Sequence, residues 1–121
     1  MEISKSALRV MNVVWERNYA AAKDIADELT SKCGWNKNTT YTVINQCIKK
    51  GFLERSEPGF MCRALVSRED AQIKELHGLE DQMFKGSPKL LFSTLFEDVS
   101  LSSEDITEIE QLIAKRKGEV G

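Results

Sequence analysis

The sequence predicts a mainly α-helical fold with one small β-hairpin, in the order three helices, hairpin, three further helices. Apolar residues recur at helical spacing through the first 50 residues. A turn sequence then separates two short apolar runs, and three capped amphipathic segments follow. At 121 residues and 41% hydrophobic, the chain can form one domain, or a compact domain plus an arm that borrows its core from a partner.

The first two helices are predicted from apolar spacing and end signals. Helix one covers Ser4 to Arg17, where Ser4 can cap the first turn. The tract Ala20-Ala21-Ala22 is predicted to lead into a short second helix around residues 23–29, which Cys33-Gly34 ends.

A hairpin is predicted after the third helix. Residues 52–55 and 60–65 flank Ser56-Glu57-Pro58-Gly59, with proline and glycine at the two central positions that a type II turn prefers. Three helices followed by a hairpin is the order of a winged helix-turn-helix. In that fold the third helix is available for the major groove of DNA and the hairpin for the flanking backbone.

The third helix is predicted from Lys37 to Lys50, after Asn36 as cap and before Gly51 as terminator. On a helical wheel one arc is apolar and packs on the first two helices. The opposite side is polar, and no acidic residue occurs between Asn36 and Lys50, which avoids repulsion from phosphate. Asn and Gln can bond bidentately to adenine, and Thr can offer its methyl group to thymine. The predicted base-reading residues are Asn38, Thr39, Thr42, Asn45 and Gln46.

Phosphate contacts are predicted from basic residues at the two ends of this helix and in the hairpin, namely Lys37, Lys49, Lys50, Arg55 and Arg63. The distribution of charge along the chain agrees with phosphate binding by the N-terminal half. Residues 1–68 carry eleven Lys/Arg against seven Asp/Glu, a net +4, whereas residues 69–121 carry six against twelve, a net −6. Only the first half is therefore expected to meet a polyanion. Each basic residue could equally be a solvated surface charge.

The C-terminal residues predict a three-helix arm that makes the chain a homodimer. Its helices begin at Ser67-Arg68, Ser87-Pro88 and Ser102-Ser103. Three amphipathic helices in about 53 residues cannot cover their own apolar faces. A second copy is the simplest cover, and packing back on the winged domain is the alternative. We expect a DNA-binding domain over 1–67 and a dimerisation domain over 68–121, with dimer contacts from Leu90, Leu91, Leu95, Phe96, Ile106, Ile109, Leu112 and Ile113.

Other classes of protein are not favoured. No residue set suggests a catalytic site, and His77, the only histidine, lies far along the chain from every cysteine. Cys33, Cys47 and Cys62 fit neither a disulfide framework nor a zinc site, so no metal or cofactor is expected. Without a membrane span or signal peptide, we expect a soluble, cytoplasmic protein. The competing interpretation is a winged helix that binds proteins and not DNA.

Several motifs resemble a known family. They are Val10 to Trp15, Trp35 to Ile44, Ile48 to Leu53 and Ala64 to Glu69, with Gly86-Ser87 and Leu101 to Glu104 in the arm. Together they resemble the BlaI/MecI/CopY repressors, the penicillinase, methicillin-resistance and copper-homeostasis regulators, over essentially the whole chain. The resemblance implies a winged-helix dimer that blocks transcription from a palindromic operator, with half-sites similar to TACA and TGTA. The family's reading helix coincides with the face from Thr39 to Lys49.

The resemblance also bears on regulation. The copper branch carries a cysteine-rich metal motif near its C-terminus, and this sequence has no cysteine after Cys62. In the β-lactam branch a protease cuts an Asn-Phe bond in the arm, and the matching position here is Thr94-Leu95. A regulatory protease acting on the arm is therefore a candidate partner besides operator DNA and a second copy.

Overall fold

The computed structural model describes residues 3–120 and contains six helices and three strands within that range. In chain order these are α1 Lys5–Arg17, β1 Tyr19–Ala21, α2 Ala22–Cys33, α3 Lys37–Lys49, β2 Leu53–Ser56, β3 Met61–Ala64, α4 Arg68–Met83, α5 Pro88–Asp98 and α6 Ser103–Val120. The chain divides into two compact units, the first ending at Gly78 and the second beginning at Leu79. The mainly helical fold class and the helix order predicted from the sequence are confirmed.

The first unit carries one more strand than the sequence predicted. Its antiparallel sheet has the order β1-β3-β2, with Ala20 opposite Cys62 and Glu54 opposite Arg63. The alanine tract leads into helix two as expected, since Ala22 begins α2, but Ala20 and Ala21 form β1 together with Tyr19. Three residues carry too little periodicity to predict a strand. The strand forms because the free edge of β3 supplies its hydrogen-bonding partners.

The core of the first unit lies between α1, α2, α3 and the sheet. Its largest fully buried side chains include Met11, Ile25, Ile44, Phe52 and Leu53. Trp15 lies at the edge of this core, and its indole N–H donates to the Val66 carbonyl at 2.9 Å. One continuous apolar cluster therefore holds α1, α2 and α3 together.

Local end signals place the helices as predicted. The Ser4 side chain accepts from the Ala7 N–H, and Gly34 takes the left-handed conformation after α2 at φ 71°. In the hairpin loop Gly59 has φ 88°, as a type II turn requires at its third position. The Glu57-Pro58 peptide is cis and Phe60 also has a positive φ of 48°.

The second unit contains α5 and α6. The Ser87 side chain accepts from the Leu90 N–H. At the start of α6, the Ser102 side chain accepts from the Asp105 N–H while an Asp105 carboxylate oxygen accepts from the Ser102 N–H. This is a reciprocal capping box. Neither helix has a buried residue. The sequence placed a domain boundary between Ser67 and Arg68, and that boundary stays a prediction.

Candidate nucleic-acid interface

Helix α3 is defined at both ends by its own sequence. The Asn36 side-chain oxygen accepts from the Thr39 N–H at 2.8 Å, so one of the free donors of the first turn is satisfied. At the other end Gly51 has φ 83°, and the Phe52 N–H donates to the Cys47 carbonyl at 2.9 Å. This six-residue ring is the Schellman arrangement. Phe52 is buried beside it, which anchors the helix end to the core.

The two sides of α3 have opposite environments. Thr40, Val43, Ile44 and Cys47 are buried, and Ile48 is partly buried against the same core. The opposite side is exposed. It presents every residue predicted to read bases, namely Asn38, Thr39, Thr42, Asn45 and Gln46. The structure therefore brings the predicted reading residues together on one surface, which we call the reading face.

One hydrogen bond restricts what the reading face can offer. The Thr42 hydroxyl donates to the Asn38 carbonyl at 2.9 Å. Its hydrogen is then engaged, which leaves an acceptor lone pair and a methyl group towards solvent. The amides of Asn45 and Gln46 can each present a donor and an acceptor to a base edge.

The lysines around α3 remain available to an anion. Lys37, Lys49 and Lys50 are exposed. Within residues 3–120, no ion pair joins any of the three ammonium groups to a carboxylate. Lys37 lies in the first turn of α3, and the other two lie at its end. The reading face is thus bordered by unneutralised positive charge at both ends.

The hairpin arginines differ from the lysines because each is already paired. The Arg55 guanidinium binds the Glu57 carboxylate at 2.5 Å and lies 3.6 Å from the centre of the Phe60 ring. Arg63 forms an ion pair with Glu54, which lies directly opposite on the neighbouring strand. Sequence reasoning named both arginines as phosphate anchors and did not identify these partners. Glu54 and Arg63 could have been paired from the hairpin register alone.

The carboxylate at the hairpin tip is held in its charged form. Hydrogen bonds from the Phe60 N–H and from Arg55 hold the pKa of Glu57 below its usual value. The tip therefore keeps a negative charge at neutral pH, next to Arg55, which was expected to bind phosphate.

The cysteines fall into two environments. Cys47 and Cys62 are buried, and burial raises the pKa of the Cys47 thiol to about 11 and also raises the pKa of Cys62. Both act as small core residues. Cys33 is half-buried at the end of α2, and the Arg9 guanidinium lies 2.8 Å from its sulfur. In the described part of the chain, no three His, Cys, Asp or Glu side chains are grouped so that they could hold a metal ion.

The arm displays an uncovered apolar surface. A groove of about 670 Å³ runs along α5 and α6, lined by Phe92, Leu95, Phe96, Ile109, Leu112, Ile113 and Val120 with Arg116 and Lys117. Leu90, Leu95, Phe96, Ile106, Leu112 and Ile113 are exposed, while Leu91 and Ile109 are partly buried. Five of the eight predicted dimer residues line this groove, namely Leu95, Phe96, Ile109, Leu112 and Ile113, whereas Leu90, Leu91 and Ile106 do not line it.

Comparison with known proteins shows the family. The family model described as penicillinase repressor matches residues 3–115. The chain belongs to the penicillinase repressor family. It is 30% identical over 117 residues to the methicillin resistance regulatory protein MecI of Staphylococcus aureus, covering 95% of each chain. It is 25% identical over 118 residues to the penicillinase repressor of Bacillus licheniformis, covering 96% of this chain and 92% of the relative.

A solved structure matches part of the chain. The DNA-binding domain of the repressor BlaI superimposes with a TM-score of 0.53 at 28% identity, covering 57% of this chain and 87% of that domain. The winged-helix fold and the family resemblance are thereby confirmed. The chain therefore belongs to a family of repressors, and it shares its winged-helix fold with the DNA-binding domain of one of them, BlaI. No helix within residues 3–120 is both long and apolar enough to cross a membrane.

Proposed function

We propose that this repressor binds a palindromic operator as a homodimer, with α3 of each protomer in the major groove. The observation that carries the proposal is the reading face, an exposed polar surface without any acidic residue between Asn36 and Lys50. An ordinary solvated helix face would be expected to include carboxylates. The absence of carboxylates, next to lysines that form no ion pair within residues 3–120, matches a surface that approaches phosphate closely.

Base recognition falls to Asn38, Thr39, Thr42, Asn45 and Gln46. The amides of Asn45 and Gln46 suit adenine. Thr42 offers its methyl group to thymine because its hydroxyl hydrogen is used within the helix. We expect Thr42→Ala and Asn45→Ala to relax sequence preference more than they lower non-specific affinity. Equal losses on selected and random duplexes would contradict the choice of this face.

Phosphate binding falls first to Lys37, Lys49 and Lys50, whose ammonium groups have no carboxylate partner among the described ion pairs. Arg55 and Arg63 contribute less, because each must exchange a carboxylate partner for a phosphate. Contacts of this kind fix the register of the reading helix on the duplex and carry no sequence information themselves.

The arm forms the dimer. Its dimer contacts are Leu90, Leu91, Leu95, Phe96, Ile106, Ile109, Leu112 and Ile113. An apolar surface of this extent on a small unit marks an interaction site. A two-fold dimer covers it with an identical surface and matches the symmetry of a palindrome. We propose residues 1–67 as the DNA-binding domain and 68–121 as the dimerisation domain.

A regulatory protease acting at Thr94-Leu95 would require α5 to open. The bond lies inside α5, and the Thr94 hydroxyl donates to the Leu90 carbonyl at 2.9 Å. A peptide bond in a helix is cut when the segment is locally unfolded. If such a protease releases the repressor, cleavage should therefore be faster under conditions that loosen the arm than under conditions that favour the dimer.

Selection of bound sequences from a random duplex pool tests the proposal. The expected product is a palindrome whose half-site centres lie about one helical turn, or a multiple of it, apart. Binding should weaken steeply with salt, because counterions are released as phosphates are neutralised. Binding that ignores salt, or no binding at about 50 mM salt, would favour a protein-interaction module instead.

A further inference from the structure

The Tyr41 side chain lies where helix α3 meets the hairpin. Its ring packs on the edge of the core, and the centre of the ring is 5.9 Å from that of Phe60, at an interplanar angle of 59°. Tilted aromatic pairs of this kind are favourable. The Phe60 ring also contacts the Arg55 guanidinium, which lies 3.6 Å from its centre. Phe60 therefore joins the reading helix to a hairpin arginine that the sequence predicted to bind phosphate.

Phe60 is itself held by its backbone. Its N–H donates to the Glu57 carboxylate at 3.1 Å, and its carbonyl accepts from the N–H of Ala22, the first residue of α2, at 2.9 Å. Contacts from two other segments of the chain thus fix the ring against which Tyr41 packs. The Tyr41 hydroxyl is therefore positioned before any ligand arrives, which lowers the entropy lost on binding.

The Tyr41 hydroxyl forms no hydrogen bond within residues 3–120, although the side chain is half-buried. A tyrosine that packs on a core usually directs its hydroxyl to a hydrogen-bonding partner. The hydroxyl of the other tyrosine has one, since the Tyr19 oxygen lies 3.2 Å from the Ser56 hydroxyl. The Tyr41 hydroxyl is thus the one available to a group from outside the chain.

The position of Tyr41 on α3 places it beside the reading face. Asn38 and Asn45 lie three residues before and four residues after it, so both are its neighbours on the helix surface. Long side chains on a helix lean towards its N-terminus, which here is the end that carries Lys37. The Lys37 ammonium forms no ion pair within residues 3–120. A phosphate bound at this end of α3 would meet both a positive charge and a neutral hydrogen-bond donor.

We propose that the Tyr41 hydroxyl donates a hydrogen bond to a backbone phosphate of the operator, at the edge of the reading face next to the hairpin. This inference rests on the proposed DNA binding and adds a contact that belongs neither to the base-reading residues nor to the basic ones. The contact is uncharged, so it strengthens binding without releasing a counterion. It touches no base, so it carries no sequence information.

Tyr41→Phe tests the contact because it removes only the hydroxyl oxygen. Fluorescence anisotropy of the full chain should show affinity about fivefold lower on a selected duplex and on a random one alike. The salt dependence of binding should remain that of the wild type, whereas Lys37→Gln should reduce it by about one counterion per protomer. The urea midpoint of Tyr41→Phe should also be unchanged, since the ring still packs on Phe60.

Tyr19→Phe is the matched control. It removes the same atom from the other tyrosine, whose hydroxyl is already paired with Ser56, and DNA affinity should not change. A Tyr41→Phe variant that binds both duplexes as tightly as Tyr19→Phe does would overturn the contact and leave the proposed function standing. A loss confined to the selected duplex would also overturn it, because the hydroxyl would then read a base. A wild type that binds no duplex at about 50 mM salt would overturn the proposed function and this contact with it.

Discussion

Two neighbouring residues of α3 should have opposite roles, and substitution by alanine separates them. Ile44 is fully buried and Asn45 is exposed. Ile44→Ala removes three carbon atoms from the core, at about 0.8 kcal/mol each, and leaves a cavity, so the total cost is about 3 kcal/mol of unfolding free energy. Asn45→Ala removes no buried group and gains helix propensity, so the change should stay within about 0.5 kcal/mol.

Urea unfolding followed by circular dichroism measures both stabilities at a fixed protein concentration, since a dimer's apparent stability depends on concentration. Fluorescence anisotropy measures binding to a selected duplex and to a random one. Ile44→Ala should unfold at lower urea and keep its sequence preference while folded. Asn45→Ala should unfold at nearly the wild-type urea concentration and lose part of its sequence preference. A stable Ile44→Ala, or an Asn45→Ala that keeps full discrimination between duplexes, would refute the division of α3 into a packed face and a reading face.

Three further predictions concern the hairpin, the end of α3 and the thiols. Glu57→Gln should free Arg55 to bind phosphate and so raise DNA affinity about two- to threefold. The number of counterions released on binding should increase by up to about one. Unchanged binding would place the hairpin away from DNA. Gly51→Ala should cost about 1 kcal/mol of stability in urea unfolding, because φ is 83° and a Cβ there meets no neighbour; an unchanged midpoint would contradict the left-handed helix end. Iodoacetamide at about pH 8.5 should label Cys33 first, because burial raises the pKa of Cys47 to about 11 and keeps it protonated; equal labelling in the native protein would contradict that burial.

The thiol prediction has a stability counterpart whose sign follows from the same pKa. A raised folded-state pKa means that folding favours the protonated Cys47 thiol. The unfolded chain then loses that proton more readily as pH rises past the ordinary thiol value. Stability should therefore fall as pH increases from about 9 towards 11, and Cys47→Ala should remove this part of the decline.

The division of α3 could be predicted from sequence because every signal is local. Asn36 caps the first turn, Gly51 ends the last, and the apolar residues between them recur at the helical period. A side chain's direction on a helix follows from its position in the sequence alone. The acid-free side was therefore identifiable before any tertiary contact was known.

Strand β1 and the ion pairs of the hairpin could not be predicted in this way, because they depend on which segments of the chain come into contact. Ala20 is extended because it pairs with β3. The sequence of a three-residue alanine tract does not indicate that a strand will lie next to it. The Arg55 guanidinium reaches both Glu57 and the Phe60 ring only after the loop has turned. An isolated arginine in a sequence indicates a positive charge, whereas its folded neighbours determine whether that charge is free.

The sequence by itself determined the order of the helices, their ends and the polar, acid-free surface of α3, since capping and helical periodicity act within a few residues. Only the tertiary structure decided that, within residues 3–120, Lys37, Lys49 and Lys50 form no ion pair while both hairpin arginines are neutralised. It also showed that α5 and α6 bury none of their own residues. The physical reason is that burial and charge pairing depend on distances between residues far apart in the chain, which only folding establishes.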